Sequence, residues 1–141
     1  MLKKILLFTF CILVSLNAQD KKPEVKTPKA MQVQLKSEQA RKIGLGAVVD
    51  KQGDMYLVTV VYNHVFHNKD RKNLNKVDSI LVWGSGTETP NRSVKSKNGQ
   101  IKEFFWLQDS IYKKGGVKMV FSSLKDKDIK EVFHLKFSDI K

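Results

Sequence analysis

Few residues in this chain have both the type and the spacing to do chemistry. His64 and His67 form an H-x-x-H pair. Two imidazoles that share a metal from one helix stand four apart, on one face. The run before this pair, Met55–Tyr62 (MYLVTVVY), reads as a strand, and strand positions three apart point to opposite sides. The third histidine, His134, lies far along the chain. The pair therefore reads as loop histidines, and no metal is expected. Gly84-Ser85-Gly86 has the composition of a nucleophile turn but not its G-x-S-x-G spacing. The residues after it, Thr87-Glu88-Thr89-Pro90, do not open the helix that such an elbow needs. Gly44-Leu45-Gly46 lacks the third glycine of a dinucleotide loop. Asp50, Asp54, Asp78, Glu103 and Asp109 read as acids scattered at strand ends. A paired-carboxylate hydrolase needs two carboxyls about 5 to 9.5 Å apart, and nothing in the spacing favours such a pair. No catalytic residue and no cofactor is assigned.

What remains is positive charge and aromatic surface. Lys69, Arg71 and Lys72, with Lys76, lie in one polar segment. Arg92 stands with Lys95, Lys97 and Lys102 around Asn98-Gly99, and Lys113, Lys114 and Lys118 flank Gly115-Gly116. Two such clusters at one end of a domain would form a cationic rim; apart, they are a solvated surface. The chain holds 26 Lys+Arg against 14 Asp+Glu, a net charge of +12. That balance favours anionic partners: lipid, acidic glycan, acidic protein or nucleic acid. Only three of the basic residues are arginine, the side chain suited to bidentate phosphate reading, so specific nucleic-acid recognition is not expected. Phe104, Phe105 and Trp106 are consecutive, so on a strand they must face both sides. Trp106 is the candidate contact for a partner on an outer sheet face.

These groups need elements to position them, and the N-terminus says where the chain goes. Lys3 and Lys4 precede twelve uncharged residues, Ile5–Leu16, and then Leu16-Asn17-Ala18. This is the order of a removable secretory signal. Twelve uncharged residues are too few to span a bilayer core, which takes about 20 apolar ones. Cys11, the one cysteine, lies inside the run and after Phe10, the wrong place for lipid attachment. Loss of residues 1–18, with Lys3 and Lys4 and no acid, takes the net charge from +12 to +10 and leaves no thiol. Such a domain holds by packing alone. Residues 19–30 carry Pro23, Pro28 and several lysines and read as a disordered basic linker. Residues 31–141 read as a single β-rich domain.

Within that domain Met31–Leu35 alternates as a short strand. Ser37 is a fair N-cap and Gly44 a fair stop for a short helix, the one helix expected. Met55–Tyr62 is apolar on both faces and reads as a central strand covered on both sides. Val77–Trp83 and Gln100–Gln108 read as strands, Asn98-Gly99 as a type I′ hairpin turn, and Lys113–Gly116 as a second turn. Val117, Met119, Phe121 and Phe133, Leu135, Phe137 alternate cleanly, with the charged stretch 124–130 as their connector. The expectation is a mainly β fold, an antiparallel β-sandwich, immunoglobulin-like or similar, of about seven to eight strands, with one short helix near the N-terminus. The functional expectation is an exported, non-enzymatic binding or structural module of the bacterial envelope or secretome, periplasmic or secreted. Its partner would be an envelope protein or an anionic surface or glycan. An anion or polysaccharide binder working through the basic loops and a small secreted hydrolase are the alternatives.

Overall fold

A computed structural model describes residues 28–84 and 86–141. The signal assigned to 1–18, most of the linker and Ser85 lie outside the described residues. The fold is mainly β, in two sheets. Their strands run in chain order as β1 (Met31–Gln32), β2 (Gly46–Gln52), β3 (Met55–Asn63), β4 (Val65–His67), β5 (Asn73–Trp83), β6 (Gly86–Glu88), β7 (Arg92–Lys95), β8 (Gln100–Gln108), β9 (Gly116–Ser122) and β10 (Lys130–Lys136). The larger sheet is ordered β1-β10-β9-β5-β4, with β6 also on β5, and the smaller is β2-β3-β8-β7. The strand count exceeds the sequence expectation through β4 and β6, three-residue strands paired to the two ends of β5. All pairs are antiparallel except β1 with β10.

The sheets pack inner face to inner face. Val58, Val60 and Tyr62 of β3 and Ile101, Phe105 and Leu107 of β8 meet Leu74, Leu81, Val117, Met119, Phe121, Phe133 and Leu135 from the larger sheet. Three phenylalanines, Phe66, Phe121 and Phe133, meet edge-on with centroids 4.8 to 5.8 Å apart. Burial of each such side chain contributes about 1.5–3 kcal/mol, so this cluster is a main source of stability in a domain with no disulfide.

Local chemistry sets the connections. Ser37 caps α1 (Glu38–Lys42) by accepting from the Ala40 N–H at 3.1 Å, and Gly44 ends it at φ +61°. A side chain on Gly44 would collide with Asn63 at 2.7 Å, so glycine is needed for closeness as well as for φ. Four expectations are corrected. Asp109–Lys114 forms a second helix, α2, where Lys113–Gly116 reads as a turn; Asp109 starts it and pairs with Lys113 one turn on at 2.7 Å. The Asn98-Gly99 hairpin closes one residue longer than a type I′ turn: Gly99 has φ +80° but Asn98 does not have positive φ, and the Gly99 N–H donates to Ser96 O. This is the three-residue loop ending in a left-handed glycine. Strand β3 is covered on one side only, because the outer face of the smaller sheet carries no second layer among the described residues. Glu103 is no strand-end acid: it sits in the middle of β8, fully buried.

Candidate functional site

Two surfaces and one buried cluster bring together residues with chemistry. The first surface is the outer face of the smaller sheet. Cross-strand register puts Asp50, Leu57 and Trp106 in one row, Val48, Thr59, Phe104 and Arg92 in the next, and Gly46, Val61, Lys102 and Val94 in a third. Residues directly opposite on antiparallel strands share a face, so these rows form one surface. Trp106 is 45% exposed and Val48 66% exposed, with Leu57, Val61 and Phe104 half-buried between them. Arg92 lies over the Phe104 ring at 6.0 Å. Asn91 fixes the start of β7: its N–H donates to Phe104 O and its Oδ1 accepts from the Trp106 N–H at 2.7 Å. Arg92 and Trp106 are thus brought to one face, apolar at its centre and basic on the β7–β8 side.

The second surface is the end of the sandwich where the β4–β5 loop (68–72) and the β9–β10 loop (123–129) meet. They are neighbours because β5 pairs β9, with Asn75 opposite Ser122. Lys69, Arg71 and Lys72 lie on the first loop. Asn68 holds that loop, its Oδ1 accepting from the N–H groups of Asp70 and Lys72 at 3.1 and 3.0 Å. Arg71 adopts φ +54°, the only non-glycine in the left-handed region among the described residues. Ser123 holds the second loop, accepting from the N–H groups of Lys125 and Asp126. Between them runs an open groove lined by Val65, Arg71, Lys72, Leu124, Lys125 and Ile129, among others. Lys113 and Lys114 are not part of this end. They sit on α2 at the opposite end, where Tyr56 stacks on Tyr112 at 4.1 Å and donates to Asp109. The three basic clusters therefore do not form one rim.

The buried cluster lies between the sheets. Ser79 Oγ donates to Glu103 Oε1, and Lys76 Nζ stands 3.5 Å from the same oxygen. A bulge in β5 between Lys76 and Asp78 turns Val77 outward and keeps both Lys76 and Ser79 on the inner side. Burial first, then the Glu103 charge, hold the proton on the neighbouring Tyr62 hydroxyl well above the usual phenol range. Tyr62, Ser79 and Glu103 are buried, and Lys76 alone of the cluster is partly exposed.

The histidines are separate. Burial, then Lys95 and Lys76, push His64 below its ordinary range. Burial, then Lys118 and Lys136, do the same to His134. Among the described residues no three His, Cys, Asp or Glu side chains gather as metal ligands would. Sequence reasoning missed Leu57 and Val48, although period-two alternation through β3 and β2 carries them to the face of Trp106. It also missed Leu124, which reads only as part of a charged connector. Compared with family models, curated proteins and solved structures, the chain matches none.

Proposed function

We propose that this chain is an exported, non-enzymatic binding module of the bacterial envelope that presents the outer face of its smaller sheet to a protein partner. The observation that carries this reading is Trp106, half exposed on an outer sheet face beside Leu57 and Phe104, with Val48 two strands away on the same face. Tryptophan next to arginine over an aromatic ring is the composition of interface centres. Arg92 and Lys102 on this face outnumber its one acid, Asp50, and the whole chain is strongly positive. A second copy would bring like charge to like charge. The partner that fits is therefore a protein with an apolar patch and an acidic rim.

Site-specific photo-crosslinking tests this in cells. A crosslinker at position 106 should give one discrete heterologous adduct, and a crosslinker at position 114, at the end of the sandwich carrying α2, should not. The Arg92→Glu variant should lose the adduct. A homodimer as the sole product, or no adduct at all, would reject the reading. Export is checked on the same material, whose N-terminus should be Gln19.

A further inference from the structure

The loop end carrying Arg71 and Lys72 supports an interaction that the sheet face does not. Val65, 40% exposed, lines the groove with Leu124 and also a shallower depression beside the β7–β8 hairpin, which includes Lys95 and Lys97. The two depressions thus form one continuous surface. Leu124, 76% exposed, is the most exposed large apolar residue among those described and stands at its edge. The basic residues lining it are Arg71, Lys72, Lys95, Lys97 and Lys125, against one acid, Asp126. Lys69 and Lys127, on the same loops, are offset by Asp70 and Asp128.

We infer that this end docks onto an anionic lipid bilayer, with Leu124 and Val65 entering the headgroup layer and the five basic side chains reaching lipid phosphates. A small anion selects donors that converge on a point, and exposed aliphatic side chains contribute nothing to it. Here the cations stand around an apolar centre on an open surface. That is the arrangement for a boundary that is oily below and negative above. Long lysine and arginine stems let the charges sit at phosphate depth while the aliphatic tips go deeper. Both loops are held by their own side-chain caps, Asn68 and Ser123, so little ordering is required on contact. The inference does not depend on the sheet-face reading: that face points sideways, and either can fail alone.

Flotation of the full chain with vesicles tests it. Phosphatidylcholine vesicles with and without an equal share of phosphatidylglycerol are the probe. All variants keep residues 1–30, so any binding by that segment is common to them. Each basic residue at an anionic surface is worth about fivefold in partitioning. Arg71→Glu with Lys72→Glu should lower binding to the anionic vesicles by at least about tenfold, and Leu124→Ser should lower it severalfold. Lys114→Glu with Lys136→Glu makes the same charge change at the opposite end and should leave most binding intact. If the reversal at 71 and 72 unfolds the chain by circular dichroism, Lys97→Glu with Lys125→Glu replaces it. Equal loss from reversals at both ends, or no effect of Leu124→Ser, would overturn the inference.

Discussion

Lys76 and Glu103 belong to different sheets, yet the ammonium of one lies 3.5 Å from the carboxylate of the other in the interior of the sandwich. The Glu103 side chain has no exposure and that of Lys76 is 19% exposed. The pair exists because the β5 bulge keeps Lys76 facing inward where an unbroken strand would shift its register. Desolvating both charges costs nearly what their attraction returns, but removing one partner strands the other. Lys76→Met alone should therefore destabilise the fold by about 3–5 kcal/mol, as should Glu103→Ala. Lys76→Met combined with Glu103→Leu should recover most of that loss. Urea denaturation of the three variants measures it, and a double variant no more stable than either single would contradict it.

Phe105 and Trp106 are adjacent in sequence and opposite in role. Phe105 is fully buried and faces Phe137 at 5.7 Å, while Trp106 stands on the outer face. Phe105→Ala should cost about 3–5 kcal/mol through the cavity it leaves. Trp106→Ala should cost less, about 1–2 kcal/mol in the isolated protein, since 45% of the residue stays exposed after folding. Of the two tryptophans, Trp83 is the more buried, its ring against Gly86. Iodide should thus quench chiefly the emission that Trp106→Phe removes.

The β7–β8 turn makes a sharper test of backbone chemistry. Gly99 has φ +80° with nothing within 4 Å of where a Cβ would stand, so Gly99→Ala should cost only the left-handed penalty of about 1–2 kcal/mol. Asn98 has no positive φ, and its side chain accepts from the Gln100 N–H at 3.3 Å. Asn98→Ala should therefore cost less than Gly99→Ala. A type I′ turn would require positive φ at both positions and make the two costs similar. Thermal melts of the two variants distinguish these geometries.

Much of the fold is legible in the alternation of side chains. Val117, Met119 and Phe121 face inward as their spacing says, and Ser37 and Gly44 bracket a helix as their types say. Composition fails where tertiary neighbours decide. Met55–Tyr62 is apolar on both sides, and only strand order shows that one side lacks a cover. Glu103 sits among apolar neighbours on β8, and its burial depends on Lys76 and Ser79, which arrive from the other sheet through a bulge. Lys113 and Lys114 look like a turn because Gly115 and Gly116 follow them; the Asp109–Lys113 pair and the stacking of Tyr112 on Tyr56 make a helix instead. Which basic loops share an end follows from β5 pairing β9, a long-range relation that no local spacing encodes. Arg92 and Trp106 were findable as a pair only once β7 and β8 were in register.

His134 gives the chain a predictable acid sensitivity. It sits on β10, where Gln32 of β1 donates its amide to Nδ1 at 3.0 Å, and its Nε2 is buried near Gly116. The groups around it are Lys118 on β9, Lys136 on its own strand and Asp139 beyond it; burial and the two lysines oppose protonation, and Asp139 only partly offsets them. The folded-state proton affinity is therefore lower than that of an unfolded histidine, about 6.5. A group depressed in the fold contributes stability that is complete above the unfolded value and is lost as pH falls below it. His64 is depressed in the same direction, by burial and then by Lys95 and Lys76. Stability should thus be flat from about pH 8 to 7 and fall as pH drops through about 6.5 toward 5. His134→Gln keeps a polar side chain beside Gln32 without a titrating ring, so it should flatten part of that fall; the remainder should go with His64→Gln. Urea midpoints of the wild type and both variants across this range measure the effect. A wild-type curve that rises on acidification, or one unchanged by either substitution, would show that these imidazoles are protonated at least as easily in the fold as outside it.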